Sequence, residues 1–212
     1  MKRPRALIAD DHKLLADALK GVLEPRCEVV GIVGNGRELL RSASKLRPDL
    51  IVLDIAMPEL NGLDAARQLR KSMPGVKLIF MTMNEDPYLV GEAFEAGASA
   101  FLHKQGAAFE LTDAVEQVLR GRTYITQSAS QGLTKLSLQS PGSRNHSPEP
   151  TPRQREVIQL LAEGHSMKEV ASALKITKRT VAAHKYAVME QLQLRTNAEL
   201  VQYAIKNHII SI

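Results

Sequence analysis

The chain has 212 residues, 44% hydrophobic and 24% charged, a composition that excludes a wholly disordered protein. Its length favours two compact units, and its longest apolar runs fall far short of the roughly 20 residues that span a bilayer. The net charge of +5 lies entirely beyond residue 124, because residues 1–124 hold 17 Lys and Arg against 17 Asp and Glu. A basic C-terminal half favours a nucleic-acid partner.

The basic start of the chain does not continue into a targeting segment. The apolar stretch after Arg5 ends at Asp10, too early for the apolar region of a signal peptide. We therefore predict a cytoplasmic protein without a membrane partner. Cys27 is the sole cysteine, which excludes an intramolecular disulfide and a cysteine-based zinc site and favours a buried hydrophobic role.

Residues 1–124 alternate short apolar runs with amphipathic stretches. The apolar runs are too short for helices and are typical of buried parallel strands, at 6–9, 29–33, 50–53, 78–81 and 100–102. Apolar residues at helical spacing follow each of the five runs. Five repeats of strand and helix predict a doubly wound α/β domain of five strands over residues 1–124.

Residues 125–150 differ in composition from both flanking segments. They are rich in Ser, Gln, Gly and Pro and have no sustained hydrophobic period, which is typical of a linker. The tract 132–138 could instead hold a short helix.

Residues 151–212 have a purely helical pattern. The capping box, Ser or Thr followed three residues later by Glu or Gln, is a signal for the start of a helix. It occurs at Thr151, Ser166 and Thr196. A further cap at Thr177 completes a small all-α unit of four helices, predicted at 152–163, 167–174, 178–191 and 197–206. The second and third helices, with a turn at 174–176, predict a helix-turn-helix whose recognition helix begins at Lys178.

Polar side chains end four of the predicted strands. Asp10 and Asp11 end the first strand and Asp54 the third, and ligands bind at this edge of an open α/β sheet. Three carboxylates in one crevice repel each other unless a cation is present, and Mg²⁺ suits such a donor set. Thr82 and Lys104 end the fourth and fifth strands, so the edge has the groups for phosphoryl transfer to a carboxylate.

Residues 4–122 resemble the receiver domain of two-component response regulators. The resemblance rests on matching positions at Asp10, Asp11, Thr82, Lys104 and Asp54 within LDIAMPELNG. It implies a flavodoxin-like fold in which a histidine kinase phosphorylates Asp54. Gly62 fits the tight loop beyond Asp54, and His12 is expected to face solvent beside the pocket.

The same resemblance implies roles for the residues around Asp54. Asp11, Asp54 and the Ala56 carbonyl would ligate Mg²⁺, and Asp10 would hold a metal-bound water. Lys104 would pair with the acyl phosphate. Thr82 would move toward it, and Phe101 would follow as the switch aromatic.

Three alternatives to a phosphorylation-controlled regulator remain at this stage. Met83 follows Thr82 where receiver domains usually have a small residue, and Gln105 follows Lys104 where Pro is frequent. Both departures put phosphorylation in doubt, so a phosphorylation-independent DNA binder is one alternative. A phosphatase or phosphotransferase would need a second acid near Asp54, but Ala56 lies two residues on, and we expect no enzyme. A nucleotide-binding domain is disfavoured because Asp10 and Asp11 replace a Gly-rich loop.

Residues 151–204 resemble the LuxR-type helix-turn-helix, and their pairing with a receiver is similar to the NarL/FixJ subfamily. The resemblance implies that the chain binds DNA as a homodimer through its last helix. Leu200, Val201 and Ala204 are candidates for the dimer contact, although they could instead only close the small core.

The predicted recognition helix departs from the family at two positions. Ala182 stands where Lys is frequent, and Tyr186 stands where another basic residue is common. We therefore expect apolar contacts to thymine methyl groups alongside contacts of cations to phosphates. The candidate DNA-binding residues are Lys178, Arg179, Thr180, Ala182, Ala183, Lys185 and Tyr186.

Overall fold

A parallel sheet of six strands organises the N-terminal part of the chain. The strands are β1 (Arg5–Ala9), β2 (Glu28–Val33), β3 (Leu50–Asp54), β4 (Lys77–Thr82), β5 (Ala100–His103) and β6 (Tyr124–Ile125). Their order in the sheet is β2-β1-β3-β4-β5-β6, so the chain reverses its direction across the sheet between β1 and β3. The computed structural model described here covers residues 3–84, 86–131 and 149–210.

Helices connect the strands and cover the sheet. They are α1 (Lys13–Leu23), α2 (Gly36–Leu46), α3 (Gly62–Ser72), α4 (Pro87–Ala96), α5 (Ala107–Leu119) and α6, of which residues 127–131 are described. Helix α1 packs against α5, whereas α2 and α4 both pack against α3. Alternate strand residues such as Ile8, Val52 and Met81 join the buried cluster that includes α1 and α5 residues.

The observed sheet confirms the predicted doubly wound domain and adds one strand to the five predicted. The added strand, β6, pairs in parallel with β5 at Ala100 and Phe101. Its two residues are too few to give a hydrophobic period, so the sequence pattern could not reveal it. Most of the predicted linker, 132–148, and the possible helix at 132–138 lie outside the described residues, and the domain boundaries at 124 and 150 stay predictions.

Four helices form the C-terminal unit, one of two compact units into which the chain divides. They are α7 (Pro152–Ala162), α8 (Met167–Leu174), α9 (Lys178–Gln191) and α10 (Asn197–Lys206), within one residue of the predicted bounds. The predicted capping boxes form at Thr151, Ser166 and Thr196, and each cap stabilises its helix by about 1 kcal/mol.

Two buried clusters hold these four helices together. Val157, Val170 and Val181 belong to a cluster that joins α7, α8 and α9. Ile158 and Val188 belong to a second cluster that joins α7, α9 and α10. Because both clusters include α9, the orientation of this helix is fixed by packing on two sides.

No helix among residues 3–84, 86–131 and 149–210 has the length and hydropathy that crossing a bilayer requires.

Candidate functional site

Two buried carboxylates meet where the sheet changes direction. Asp54 is the last residue of β3, and Asp10 directly follows β1, whose Ala9 is in register with Leu53. Each aspartate is only 3% exposed. Parallel strands with short apolar sequences thus place both carboxylates at the carboxyl edge of the sheet, as predicted.

Lys104 forms ion pairs with both buried carboxylates. Its Nζ lies 2.9 Å from Asp10 Oδ2 and 2.8 Å from Asp54 Oδ2. Burial lowers the pKa of Lys104, but Asp54 and Asp10 more than offset that effect and hold it above its usual value. The lysine is therefore charged at neutral pH and bridges the ends of β1, β3 and β5.

The carboxyl group of Asp54 is difficult to ionise in this environment. Burial raises its pKa to about 6, and the Asp10 carboxylate adds to the rise, whereas Lys104 and a hydrogen bond from the Ala56 backbone N–H lower it. One lysine does not fully compensate two buried carboxylates. The site thus favours an additional cation.

The donor set at the site fits a divalent cation. Asp10, Asp11, His12 and Asp54 can each offer a ligand atom, and these atoms lie within 4.8 Å of one another. Carboxylate oxygens are the donors that Mg²⁺ prefers, and the half-exposed Asp11 leaves room for water ligands. The residues therefore fit the predicted metal.

His12 lies beside this carboxylate cluster. Its side chain is 69% exposed, as expected, but Nδ1 lies 2.9 Å from Asp11 Oδ1. Its backbone N–H donates to Asp10 Oδ1 at 2.9 Å. The signal in the sequence was its position directly after two aspartates, which keeps the ring beside their carboxylates.

The segment after Asp54 turns tightly back toward β3. The Gly62 N–H donates to the Ile55 carbonyl oxygen at 2.8 Å, and Asn61 caps α3 by accepting from the Asp64 N–H. A Cβ on Gly62 would lie 2.0 Å from the Asp54 carbonyl oxygen. Glycine at this position is therefore required by the close approach of two backbone segments.

The predicted switch residues lie at the ends of β4 and β5. Thr82 is buried, and its Oγ1 accepts a hydrogen bond from the Asn84 N–H at 3.0 Å. The Thr82 carbonyl accepts from the Lys104 N–H at 2.8 Å. Phe101 is fully buried, with its ring centroid 5.9 Å from that of His103, whereas Met83 is 64% exposed.

The candidate DNA-binding residues do not all share one surface of α9. Lys178, Arg179, Ala183 and Tyr186 are exposed, and Thr180 and Ala182 are half-buried. Lys185, in contrast, is 8% exposed, because it lies four residues after Val181 and three before Val188 on the buried face of the helix. The structure therefore separates Lys185 from the exposed cations.

The candidate dimer residues are mostly inside the C-terminal unit. Leu200 and Ala204 are buried in the cluster that joins α10 to α7 and α9, so their side chains close the small core, the other possibility that the sequence left open. Val201 is half-buried. Their role in dimerisation stays a prediction.

The comparisons with known proteins agree with this architecture. A parallel sheet with a Lys-bridged acidic cluster, joined to a helix-turn-helix, defines a class of two-domain regulators that couple a phosphoacceptor to DNA. The family model "Response regulator receiver domain" matches residues 6–116, and the model "Bacterial regulatory proteins, luxR family" matches residues 151–204. The chain belongs to the response regulators with a receiver domain and a LuxR-type DNA-binding domain, as the sequence predicted.

Relatives match this chain over nearly its whole length. The transcriptional regulatory protein MctR from Rhizobium johnstonii is 31% identical over 210 residues, 98% of this chain and 95% of that protein. The response regulator protein VraR from Staphylococcus aureus is 29% identical over 208 residues, 97% of this chain and 98% of that protein. A similar solved structure is RcsB from Salmonella enterica serovar Typhimurium, bound to a promoter in the presence of the phosphomimetic BeF₃⁻. The two structures match with a TM-score of 0.61 and 25% identity, over 95% of this chain and 98% of that one.

Proposed function

We propose that this protein is a transcriptional regulator controlled by phosphorylation of Asp54. The observation that carries the proposal is the buried Asp54 carboxylate, 2.8 Å from Lys104 Nζ at the carboxyl edge of the sheet. An Asp54 oxygen attacks the phosphorus of a phosphohistidine on a sensor histidine kinase. The phosphorus–nitrogen bond breaks, the imidazole leaves and takes a proton from solvent, and the phosphoryl group stays on Asp54.

The residues around Asp54 have separate parts in this proposal. Lys104 moves from the Asp54 carboxylate to the phosphoryl oxygens and stabilises their charge. Asp11, Asp54 and the Ala56 carbonyl would hold Mg²⁺, and Asp10 would hold one of its waters. When bound, the ion supplies positive charge that offsets the charge developing on the transferred group.

The proposed switch connects the phosphoryl group to the residues at the carboxyl ends of β4 and β5. The Thr82 hydroxyl donates its hydrogen to a phosphoryl oxygen, and the side chain rotates toward that oxygen, away from the Asn84 N–H from which Oγ1 now accepts. The Lys104 N–H already holds the Thr82 carbonyl, so β4 and β5 move together. Phe101 repacks with them and changes the surface of the N-terminal unit.

The exposed face of α9 is the proposed DNA interface. Lys178 and Arg179 at its start contact phosphates, and Ala182 and Ala183 contact thymine methyl groups. Thr180 and Tyr186 complete the face. RcsB, a relative of similar fold, is described bound to a promoter, which supports a DNA complex for this chain. We further propose a cytoplasmic homodimer, with Val201 on α10 at its contact.

Asp54→Asn should abolish phosphorylation by acetyl phosphate and Mg²⁺. The amide oxygen is a poor nucleophile, so the slower band that wild type gives on a Phos-tag gel should be absent. Asp17→Asn, which removes an exposed carboxylate from α1, should give the wild-type band. An equal band shift in Asp54→Asn and wild type would reject Asp54 as the phosphoacceptor. If acetyl phosphate left the DNA affinity of wild type unchanged, the phosphorylation-independent regulator would be the better description.

Lys178→Ala and Arg179→Ala should each weaken DNA binding on all sequences. Each cation that contacts a phosphate releases about one counterion, so the slope of log K against log salt should fall by about 1 per variant. Fluorescence anisotropy at several salt concentrations measures this slope. Lys206→Ala, at the exposed end of α10, is the matched control, and wild-type slopes in both α9 variants would place the interface elsewhere.

A further inference from the structure

A cavity in the C-terminal unit is lined by residues of all four helices and of the turn before α8. Its volume is about 230 Å³. Lys185 lines it from α9, His165 and Ser166 from the turn before α8, and Asn197 from the start of α10. The rest of the lining is apolar, from Leu161, Met167, Leu200 and Val201.

Lys185 has no counter-charge in this cavity. Among residues 3–84, 86–131 and 149–210, no carboxylate or other hydrogen-bond acceptor pairs with its Nζ, which lies 5.4 Å from the centroid of the Tyr186 ring. Lysines are rarely buried to this degree without a partner. The Lys185 side chain lines the cavity without a carboxylate partner, which indicates a place for an anion.

The acidic groups near the cavity are already engaged elsewhere. Glu169 accepts from the Ser166 N–H at 2.7 Å, and Glu199 accepts from the Thr196 N–H at 3.2 Å, each at the start of its own helix. Glu163 pairs with His165 at 3.8 Å. None of these carboxylates is paired with Lys185, so its positive charge stays open toward the cavity.

Two helix starts also border the cavity. Met167 is the first residue of the eight-residue helix α8, and Asn197 is the first residue of α10, and both line the cavity. The N-terminal end of a helix carries partial positive charge and attracts anions. The Asn197 amide and the His165 ring can donate hydrogen bonds to the same group.

We propose that this cavity binds a small organic carboxylate. Its carboxylate pairs with Lys185 and the start of α10, and its apolar body lies against Leu161, Met167, Leu200 and Val201. An engineered cavity of about 150 Å³ accommodates benzene, so 230 Å³ accommodates a ring with a short carboxylate arm. The apolar half of the lining favours this class over inorganic phosphate.

Calorimetry on the full-length chain tests the proposal with phenylacetate and its neutral analogue phenylacetamide. Phenylacetate should bind saturably, and both the neutral analogue and the Lys185→Met variant should weaken binding by about tenfold or more, the effect of one charge-assisted contact. Lys206→Met, which removes an exposed cation from α10, should leave the affinity unchanged. Equal binding of acid and amide, or of wild type and Lys185→Met, would overturn the proposal.

A second variant and two competitors separate the carboxylate from other occupants. Asn197→Trp keeps Lys185 but fills the cavity from an exposed position, so it should abolish phenylacetate binding while circular dichroism reports a folded unit. Unchanged binding to this variant would place the ligand elsewhere. Tighter binding of inorganic phosphate, or displacement of phenylacetate by a random-sequence duplex, would reject an organic carboxylate in favour of a phosphate ligand.

Discussion

Replacing Gly62 with alanine should destabilise the N-terminal unit by about 3 kcal/mol or more, at the upper end of the cost of overpacking. The new Cβ would lie 2.0 Å from the Asp54 carbonyl oxygen, 2.9 Å from its carbonyl carbon and 3.0 Å from Ile55 Cα. All three are backbone atoms, so no side chain can rotate to make room. The methyl group must therefore displace the peptide that carries the proposed phosphoacceptor, Asp54, and phosphorylation by acetyl phosphate should slow as well.

Urea unfolding followed by far-ultraviolet circular dichroism measures the first effect. Gly91→Ala is the matched control, because Gly91 lies inside α4 and a Cβ there would have no atom within 4 Å. That variant should gain about 0.5 to 1 kcal/mol from the better helix propensity of alanine. If Gly62→Ala were as stable as wild type, the backbone segments at Asp54 and Gly62 could not be as close as the structure places them.

The elements that the sequence predicted well are those with strong local signals. Five strands were predicted from short apolar runs, although β2, at the edge of the sheet, is not buried as predicted. Three capping boxes fix the starts of α7, α8 and α10. Asp10 and Asp54 could be placed together because the carboxyl ends of parallel strands share one edge of the sheet. Each of these inferences needs only a few neighbouring residues and a general rule of sheet or helix geometry.

The close approach at Gly62 and the burial of Lys185 were not predicted from the sequence. Gly62 could be assigned to a tight loop, but the 2.0 Å approach to Asp54 follows from how two backbone segments pack. Lys185 was grouped with Lys178 and Arg179 by charge, although its spacing from Val181 and Val188 places it on the buried face. Helical periodicity was therefore a better guide to the position of Lys185 than its charge.

Lys104→Met should destabilise the protein by about 3 kcal/mol in Mg²⁺-free buffer at pH 7.5, the cost of removing one partner from a buried ion pair. Lys104 Nζ is the cation paired with both Asp10 and Asp54. Methionine keeps the length of the side chain but has no charge, so both carboxylates stay buried without a cationic partner. Adding Asp54→Asn to this variant should recover much of the loss, because one of the two buried charges is then gone.

The pH dependence of stability distinguishes this electrostatic cause from poorer packing. In wild type the pKa of Asp54 is raised from 3.8 to about 6. The stability that the protonated carboxyl group contributes is therefore fully present below pH 3.8 and is lost as pH rises to about 6. The free energy of unfolding changes by about 3 kcal/mol over this range. Without Lys104 the pKa of Asp54 rises further, so stability should continue to fall above pH 6. Urea midpoints at pH 4 and pH 7.5 should therefore differ more in Lys104→Met than in wild type, and Asp17→Asn should follow wild type. A loss of the same size at both pH values would assign the effect to packing around the methionine.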